Sequence, residues 1–260
     1  MTATQTTLVY FSPTNTTKAV LTAIADGIGL PAQHIDLTLP AARKKSYAFG
    51  KDELVIIGFP VYAGRVPLIH EIIFPLLADG PHPVVPVVVY GNREYDDALL
   101  ELTSLCQSKG YVPAAAAAFI GEHSYAPALG AKRPDDDDKA LATNFGARLA
   151  ASLRQGTPFN TAGIPGASPY KERGPKLPTV PETDENCIRC LICVRKCPVG
   201  AIAPDNPAAI DQDACILCAA CVKKCPARAK RITFAPLLQR VEAMAVANMA
   251  PKAPALFLPE

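Results

Sequence analysis

Eight cysteines in this 260-residue chain form two copies of one pattern, CxxCxxCxxxCP. The first copy ends at Cys197-Pro198 and the second at Cys225-Pro226, and every cysteine of the first copy recurs 28 positions later. Spacings this short wrap the backbone around one point, where thiolates are good ligands for soft metals. Where thiols are kept reduced, so many cysteines indicate metal or redox chemistry before disulfides.

The duplicated pattern resembles the cysteine run of bacterial two-cluster ferredoxins. In that run the fourth cysteine of each copy ligates the cluster of the other copy. A structural zinc site is the alternative, but such sites typically use two separated CxxC pairs. We therefore expect two [4Fe-4S] clusters with crossed ligands, one held by Cys187, Cys190, Cys193 and Cys225 and the other by Cys197, Cys215, Cys218 and Cys221.

Composition divides the chain into two blocks. The ninth cysteine, Cys106, is the only one before residue 187. A segment dense in Pro and Gly, which interrupt regular hydrogen-bond ladders, precedes the first cysteine run. The expected organisation is a first domain, a linker, a cluster domain, and a C-terminal helix and tail, over residues 1–155, 156–183, 184–234 and 235–260 respectively.

The first block alternates short apolar runs with helical patterns. A helix with an apolar stripe at Leu21, Ile24 and Ile28 is expected to end at Gly27 and Gly29. Strand and helix alternating in this way predict a doubly wound α/β fold with a five-stranded parallel sheet. The runs predicted to be its buried strands are 6–11, 33–36, 54–59, 84–90 and 112–120.

The loop after the first predicted strand carries several hydroxyl groups and runs into a helix. In a doubly wound sheet this loop lies at the edge where ligands bind, and a helix start attracts an anion through its unpaired N–H groups. The loop matches neither GxxxxGK[ST] nor GxGxxG, which disfavours nucleoside triphosphates and dinucleotides. The sequence therefore predicts either a phosphate monoester site or an ordinary Ser/Thr helix cap.

This loop resembles the flavodoxin phosphate loop, (S/T)xTGNT. Ser12, Thr14 and Thr17 match the pattern, with Asn15 at the Gly and Thr16 at the Asn. The resemblance implies a flavodoxin-like domain that binds FMN. Two later loops resemble those that hold the isoalloxazine, and their candidate residues are Pro60, Val61, Tyr62, Ala63, Gly64, Arg65, Gly91, Asn92 and Tyr95.

The resemblance suggests roles for five of these residues. An aromatic ring can stack on the flavin, and we expect Tyr95 to do so, with Tyr62 as the second candidate. Asn92 can hydrogen-bond the pyrimidine edge. Arg65 is either a cation beside the reduced flavin or a solvated rim residue, and Gly64 provides a flexible peptide near N5.

Other polar residues receive structural or open assignments. Asp96 and Asp97 are interpreted as helix caps. His123, after the last strand, is the one candidate for a catalytic proton donor, with a structural role or a place at the domain interface as the alternatives. A group of cations after the second cysteine run forms either a docking patch for an acidic redox partner or a solvated surface, and consists of Lys223, Lys224, Arg228, Lys230 and Arg231.

Charge and hydropathy exclude several classes of function. The net charge of +2 indicates neither a nucleic-acid partner nor a membrane surface. No apolar run approaches the ~18 residues that cross a bilayer. The N-terminus lacks a basic region before its apolar stretch, so a first strand is expected there instead of a signal peptide, and a cytoplasmic location is predicted.

The order of the blocks resembles the flavodoxin-ferredoxin fusion family of anaerobic bacteria and archaea. The resemblance implies an electron-transfer protein with FMN and two [4Fe-4S] clusters that serves a redox protein or a small-molecule donor or acceptor. A flavin-dependent reductase of a small substrate, fed by the clusters, is the first alternative, and a redox sensor is the second. The sequence does not indicate an oligomeric state.

Overall fold

The computed structural model describes residues 3–259. The first part of the chain contains β1 (Gln5–Tyr10), α1 (Thr16–Ile28), β2 (Ala32–Asp36), β3 (Glu53–Pro60), α2 (His70–Ile73), β4 (Pro83–Tyr90), α3 (Ala98–Ser108), β5 (Val112–Pro113), β6 (Ala116–Ile120) and α4 (Asp136–Gln155). The second part contains β7 (Glu182–Thr183), α5 (Ile192–Arg195), α6 (Ala220–Lys223), β8 (Lys230–Arg231), α7 (Ala235–Ala247) and β9 (Ala255–Phe257).

Five parallel strands form the centre of the main sheet in the order β2-β1-β3-β4-β6. This is the strand order of the flavodoxin-like doubly wound fold, and it confirms the predicted fold class. Helices cover both faces, so the central strands are continuous apolar runs in which Val55, Ile56 and Ile57 are fully buried. The order reverses at β1, which places a ligand-binding crevice at the carboxyl ends of β1 and β3.

Two features of the sheet differ from the prediction of five strands. The predicted strand 112–120 is divided into β5 and β6, because one extra residue separates its pairings with β4, as in a bulge. The short C-terminal strand β9 pairs antiparallel with β6 and extends the sheet. The segment before β9 is held by Asn92, which donates to the carbonyls of Asn248 and Ala250 and accepts the N–H of Lys252.

The end of α1 also differs from the prediction. Gly29, at φ 74°, caps the helix, whereas Gly27 lies inside it. A Cβ on Gly27 would lie 1.9 Å from the carbonyl oxygen of Thr143 in α4. Gly27 therefore allows α1 and α4 to pack closely on one face of the sheet.

The cysteine-rich part preserves the internal repeat in its backbone. The short helices α5 and α6 begin at Ile192 and Ala220, again 28 positions apart. The strands β7 and β8 pair antiparallel, and Ile202 pairs with Ile210 at the corresponding place in the other half. No helix within residues 3–259 combines the length and apolar character needed to cross a membrane.

The segment predicted as the linker is hydrogen-bonded to the first part of the chain. Asp97 stands at the start of α3, but its carboxylate accepts the N–H groups of Ala167 and Lys171 instead of capping the helix. Arg65 donates to the carbonyl of Lys171. The prediction that Asp97 acts as a helix cap is therefore wrong for its side chain, which binds the linker.

Candidate functional site

A cavity of about 270 Å³ opens at the carboxyl edge of the main sheet. Loops after β1, β3, β4 and β6 form its walls, as expected for a ligand site at the reversal point of a doubly wound sheet. The predicted site residues that line it are Thr14, Thr16, Thr17, Pro60, Val61, Tyr62, Ala63, Gly91 and His123.

The loop after β1 fits a bound phosphate. Asn15 adopts φ 70°, the left-handed conformation that Gly supplies in the flavodoxin pattern. The hydroxyl oxygen of Ser12 accepts the N–H of Lys18 at 3.1 Å and so tightens the turn. The hydroxyl of Thr17 is buried at the cavity wall without a hydrogen-bond partner among the described residues. A buried hydroxyl left unpaired costs about 1–3 kcal/mol, so this position favours a ligand that accepts its hydrogen bond.

The loop after β3 presents Tyr62 to the cavity through a tight turn. The backbone groups of Tyr62 and Arg65 exchange two hydrogen bonds, of 2.9 and 3.1 Å. Between them, Ala63 and Gly64 have φ of 52° and 85°, the positive values that a type I′ turn requires. Burial raises the pKa of the Tyr62 hydroxyl well above its ordinary value. Tyr62 is therefore a neutral aromatic wall of the cavity.

Arg65 and Gly64 lie outside the cavity. The Arg65 guanidinium forms a two-bond ion pair with Glu101, at 2.7 and 2.8 Å, and lies 4.8 Å from the centre of the Tyr170 ring. Neither predicted role for Arg65 fits, since its charge is neutralised within the protein and its side chain is 13% exposed. A Cβ on Gly64 would collide with the Asp96 carboxylate, so its neighbourhood is the α3 start and not the cavity.

Asn92 and Tyr95 also lie away from the cavity. Within residues 3–259, the hydrogen bonds of the Asn92 side chain all hold the C-terminal segment. The Tyr95 ring packs on the first domain, 5.4 Å from the ring of Tyr90. The structure thus favours Tyr62, the second candidate, over Tyr95 as the aromatic neighbour of a ligand. Ser12 and Asn15 shape the loop after β1 without lining the cavity.

His123 lines the cavity in a defined tautomer. Its Nδ1 accepts the backbone N–H groups of Tyr125 and Ala126, at 3.2 and 3.1 Å, so the proton of the neutral ring is on Nε2. Burial lowers the pKa of His123 to about 4, and the nearby cations Lys223 and Arg93 act in the same direction. At neutral pH His123 is therefore a hydrogen-bond donor through Nε2 and not an acid.

Stability should fall on acidification because of His123. The pKa of His123 is about 4 in the folded protein, below the ordinary 6.5 that applies in the unfolded chain. Between pH 6.5 and pH 4 the unfolded chain therefore binds a proton at this residue that the folded protein does not bind. The free energy of unfolding decreases as the pH falls through this range. From pH 7 to pH 5.5 the loss is about 1 kcal/mol. In His123→Asn, an amide oxygen replaces Nδ1, and the pH dependence of unfolding by urea should be shallower by that amount. Equal pH dependence in both proteins would show that His123 is not held neutral.

The two cysteine runs line two further, much smaller cavities. The inner cysteine set, which faces the first domain, is Cys197, Cys215, Cys218 and Cys221. The outer cysteine set is Cys187, Cys190, Cys193 and Cys225. Each cavity thus combines three cysteines of one run with the fourth of the other.

Repeated backbone geometry shapes both cysteine loops. Arg189 and Leu191 in the first copy have positive φ of 53° and 58°, and Leu217 and Ala219 in the second have 52° and 57°. These left-handed residues turn the chain around each cavity so that the cysteines point inward. The same symmetry gives two N–H···S hydrogen bonds of 3.3 Å, one in each copy, from Ala201 to Cys197 and from Ala229 to Cys225.

The chemistry of the thiols in both cysteine sets suits metal ligation. Burial raises the pKa of Cys218 and of Cys221 to about 12. Such thiols give up their protons at neutral pH when a metal ion takes the place of the proton. Four thiols that line one small cavity, with an N–H donor to one of the sulfur atoms, suit an iron-sulfur cluster.

Comparison with protein families gives a match over residues 185–230, to the family described as 4Fe-4S dicluster domain. The first part of the chain has the strand order of the flavodoxin-like fold, and the matched segment follows it. Residues 185–230, called the dicluster domain here after the family that they match, contain both cysteine sets. A search of curated proteins returned no match.

Solved structures similar to the chain cover its flavodoxin-fold part. A flavodoxin from the domain Archaea is 16% identical, with a TM-score of 0.41, over 58% of this chain and 99% of its own. A flavodoxin of Streptococcus pneumonia TIGR4 is 15% identical, with a TM-score of 0.41, over 57% of this chain and 99% of its own. A flavodoxin, WrbA-like protein from Agrobacterium tumefaciens is 20% identical, with a TM-score of 0.38, over 59% of this chain and 99% of its own.

The dicluster domain shares a wall with the sheet-edge cavity. Ile216 and Leu217 line both that cavity and the cavity of the inner cysteine set. The hydroxyl of Tyr125, after β6, donates to the carbonyl of Leu217. Lys223 in α6 forms an ion pair with Glu122. These contacts hold the inner set against the carboxyl edge of the sheet.

The sequence analysis did not identify this wall. Ile216 repeats Ile188 at 28 positions, a property that says nothing about the other domain. Three further residues of the cavity lining were also missed, from the linker and from α7, namely Leu177, Leu237 and Arg240. No local signal marks them, because their position depends on contacts between segments far apart in the chain.

Proposed function

We propose that the chain is an electron-transfer protein that carries FMN in the sheet-edge cavity and a [4Fe-4S] cluster in each cysteine cavity, and that exchanges electrons with an external redox partner. One observation carries this proposal. Ile216 and Leu217 line both the sheet-edge cavity and the cavity of the inner cysteine set. The same two residues therefore stand between the two cavities. When bound, FMN exchanges one or two electrons and each cluster exchanges one.

The flavodoxin-fold residues bind and orient the flavin in this proposal. Thr17 supplies a buried hydroxyl donor to the phosphate, and Thr14 and Thr16 provide two more at the same cavity wall. Tyr62 offers an aromatic surface to the isoalloxazine. His123 donates a hydrogen bond through Nε2 and remains neutral, so it adds no charge to the site.

The inner and outer cysteine sets have different neighbours, so their clusters serve different steps of electron transfer in this proposal. The inner set is next to the flavin cavity, whereas the outer set is lined by Ile188, whose side chain is 67% exposed. We infer that the external partner meets the outer cluster. The cations after the second cysteine run, expected to form either a docking patch or a solvated surface, are not all free at the surface, because Lys230 is buried and Lys223 is paired with Glu122.

Anaerobic photoreduction tests the proposal. Protein purified without oxygen should contain about eight irons and one FMN per chain. After a light pulse reduces the FMN, the visible absorbance of the clusters should bleach at a rate that does not change with protein concentration, because donor and acceptor share one chain. A rate proportional to concentration would show transfer between molecules, and protein with iron but no flavin would refute the flavin assignment.

A further inference from the structure

Lys230 is a cation in an unusual place for its residue type. Its side chain lies on β8 and is 3% exposed. The ammonium donates a hydrogen bond to the carbonyl of Pro207, but no carboxylate within residues 3–259 forms an ion pair with it. A buried charge is costly unless an opposite charge accompanies it, so a counter-charge must lie nearby when the protein is loaded.

The outer cysteine set lies beside Lys230. Lys230 lines the cavity of that set, together with Cys193 and Cys225. Pro207, whose carbonyl accepts the hydrogen bond of the ammonium, lines the same cavity. The ammonium is therefore held at the wall of the outer cavity, where a bound cluster supplies the missing negative charge.

The internal repeat shows that this lysine departs from the pattern around it. Ile202 stands at the same position in the first copy, 28 residues earlier. The preceding residue is Ala in both copies, Ala201 and Ala229, and both are buried. The repeat can thus accommodate an apolar residue at this position. Only the second copy places a charged residue there.

We propose that the Lys230 ammonium is the buried counter-charge of the outer cluster and raises the reduction potential of that cluster. The inference rests on the proposed function, since it requires loaded clusters. Each cluster becomes more negative by one charge on reduction, and net charge is one of the quantities that sets cluster potentials. A cation in a site of low dielectric stabilises the more negative state more strongly, so it favours the reduced form.

Four variants test the inference by anaerobic redox titration followed by paramagnetic resonance. Lys230→Met removes the charge, and Lys230→Gln removes it while it retains a donor for the Pro207 carbonyl. Lys230→Arg retains the charge. Arg228→Met is the matched control, because Arg228 is an exposed cation close to the same cysteine run. At a fixed solution potential, Lys230→Met and Lys230→Gln should each lower the ratio of reduced to oxidised cluster about tenfold. This change corresponds to a reduction potential lower by about 59 mV for one electron.

The outcomes separate this inference from the function on which it rests. Wild-type protein without iron and sulfide would refute the proposed function. Loaded clusters whose potentials in Lys230→Met and Lys230→Gln shift no more than in Arg228→Met would overturn the role of Lys230 alone. If both neutral variants fail to load clusters and Lys230→Arg loads them, the counter-charge is supported. If Lys230→Arg also fails to load, the site requires the shape of lysine and the inference is wrong.

Discussion

Replacing Thr17 by valine is expected to stabilise the flavin-free protein and to weaken FMN binding. Valine has nearly the shape of threonine but no hydroxyl, and the Thr17 hydroxyl is buried without a partner among the described residues. Its removal should raise the free energy of unfolding of the flavin-free chain by about 1–3 kcal/mol. FMN loses one hydrogen bond to its charged phosphate, worth about 1.5–3 kcal/mol, or roughly 10- to 150-fold in Kd.

Thr6→Val is the matched control for this prediction. The Thr6 hydroxyl is also buried and without a partner among residues 3–259, but it lies on β1 and does not line the cavity. This variant should stabilise the flavin-free chain by a similar amount and leave the Kd for FMN unchanged. Urea unfolding and fluorescence titration with FMN measure the two quantities. If the two variants affect the Kd equally, the phosphate is not bound at Thr17.

Substitution of the fourth cysteine of each run, Cys197 or Cys225, should affect electron transfer from the flavin in opposite ways. Cys197→Ala removes a ligand of the inner set, and Cys225→Ala removes a ligand of the outer set. Each variant should lose one cluster, so iron falls from about eight to about four per chain. After photoreduction of FMN, Cys225→Ala should still bleach its remaining cluster, whereas Cys197→Ala should not, because its surviving cluster is the distant one.

Each cysteine variant serves as the control for the other. Both remove one thiolate from the same small domain and should carry the same loss of iron, so a difference in electron transfer reports the place of the missing cluster. Serine at the same positions retains an oxygen ligand and provides a second version of each variant. Transfer that survives in Cys197→Ala and is lost in Cys225→Ala would reverse the assignment of inner and outer sets.

Much of the fold could be predicted from the sequence because the central strands are buried on both faces. Such strands are continuous β-branched runs, and the runs at 54–59 and 84–90 correspond closely to β3 and β4. The strand β9 could not be predicted in the same way. It has three residues, too few for a pattern, and its place depends on the hydrogen bonds of Asn92 to the segment before it.

The candidate site was predictable where local chemistry determines it. The hydroxyl pattern after β1 and the left-handed tendency of Asn15 are properties of a few adjacent residues. Arg65 shows the opposite case, because its partner Glu101 is 36 positions away and only the fold brings them together. Lys230 likewise resembled a surface cation in sequence, although the dicluster domain buries it.

A crystal structure of the anaerobically purified protein, with iron located by anomalous scattering, tests the central claim most directly. The account predicts iron in both cysteine cavities and FMN in the sheet-edge cavity. Cys197 should bind the cluster closer to the flavin, and Ile216 and Leu217 should stand between that cluster and the isoalloxazine. Cys197 and Cys187 on the same cluster, or the cluster of Cys187 closer to the flavin, would contradict the account.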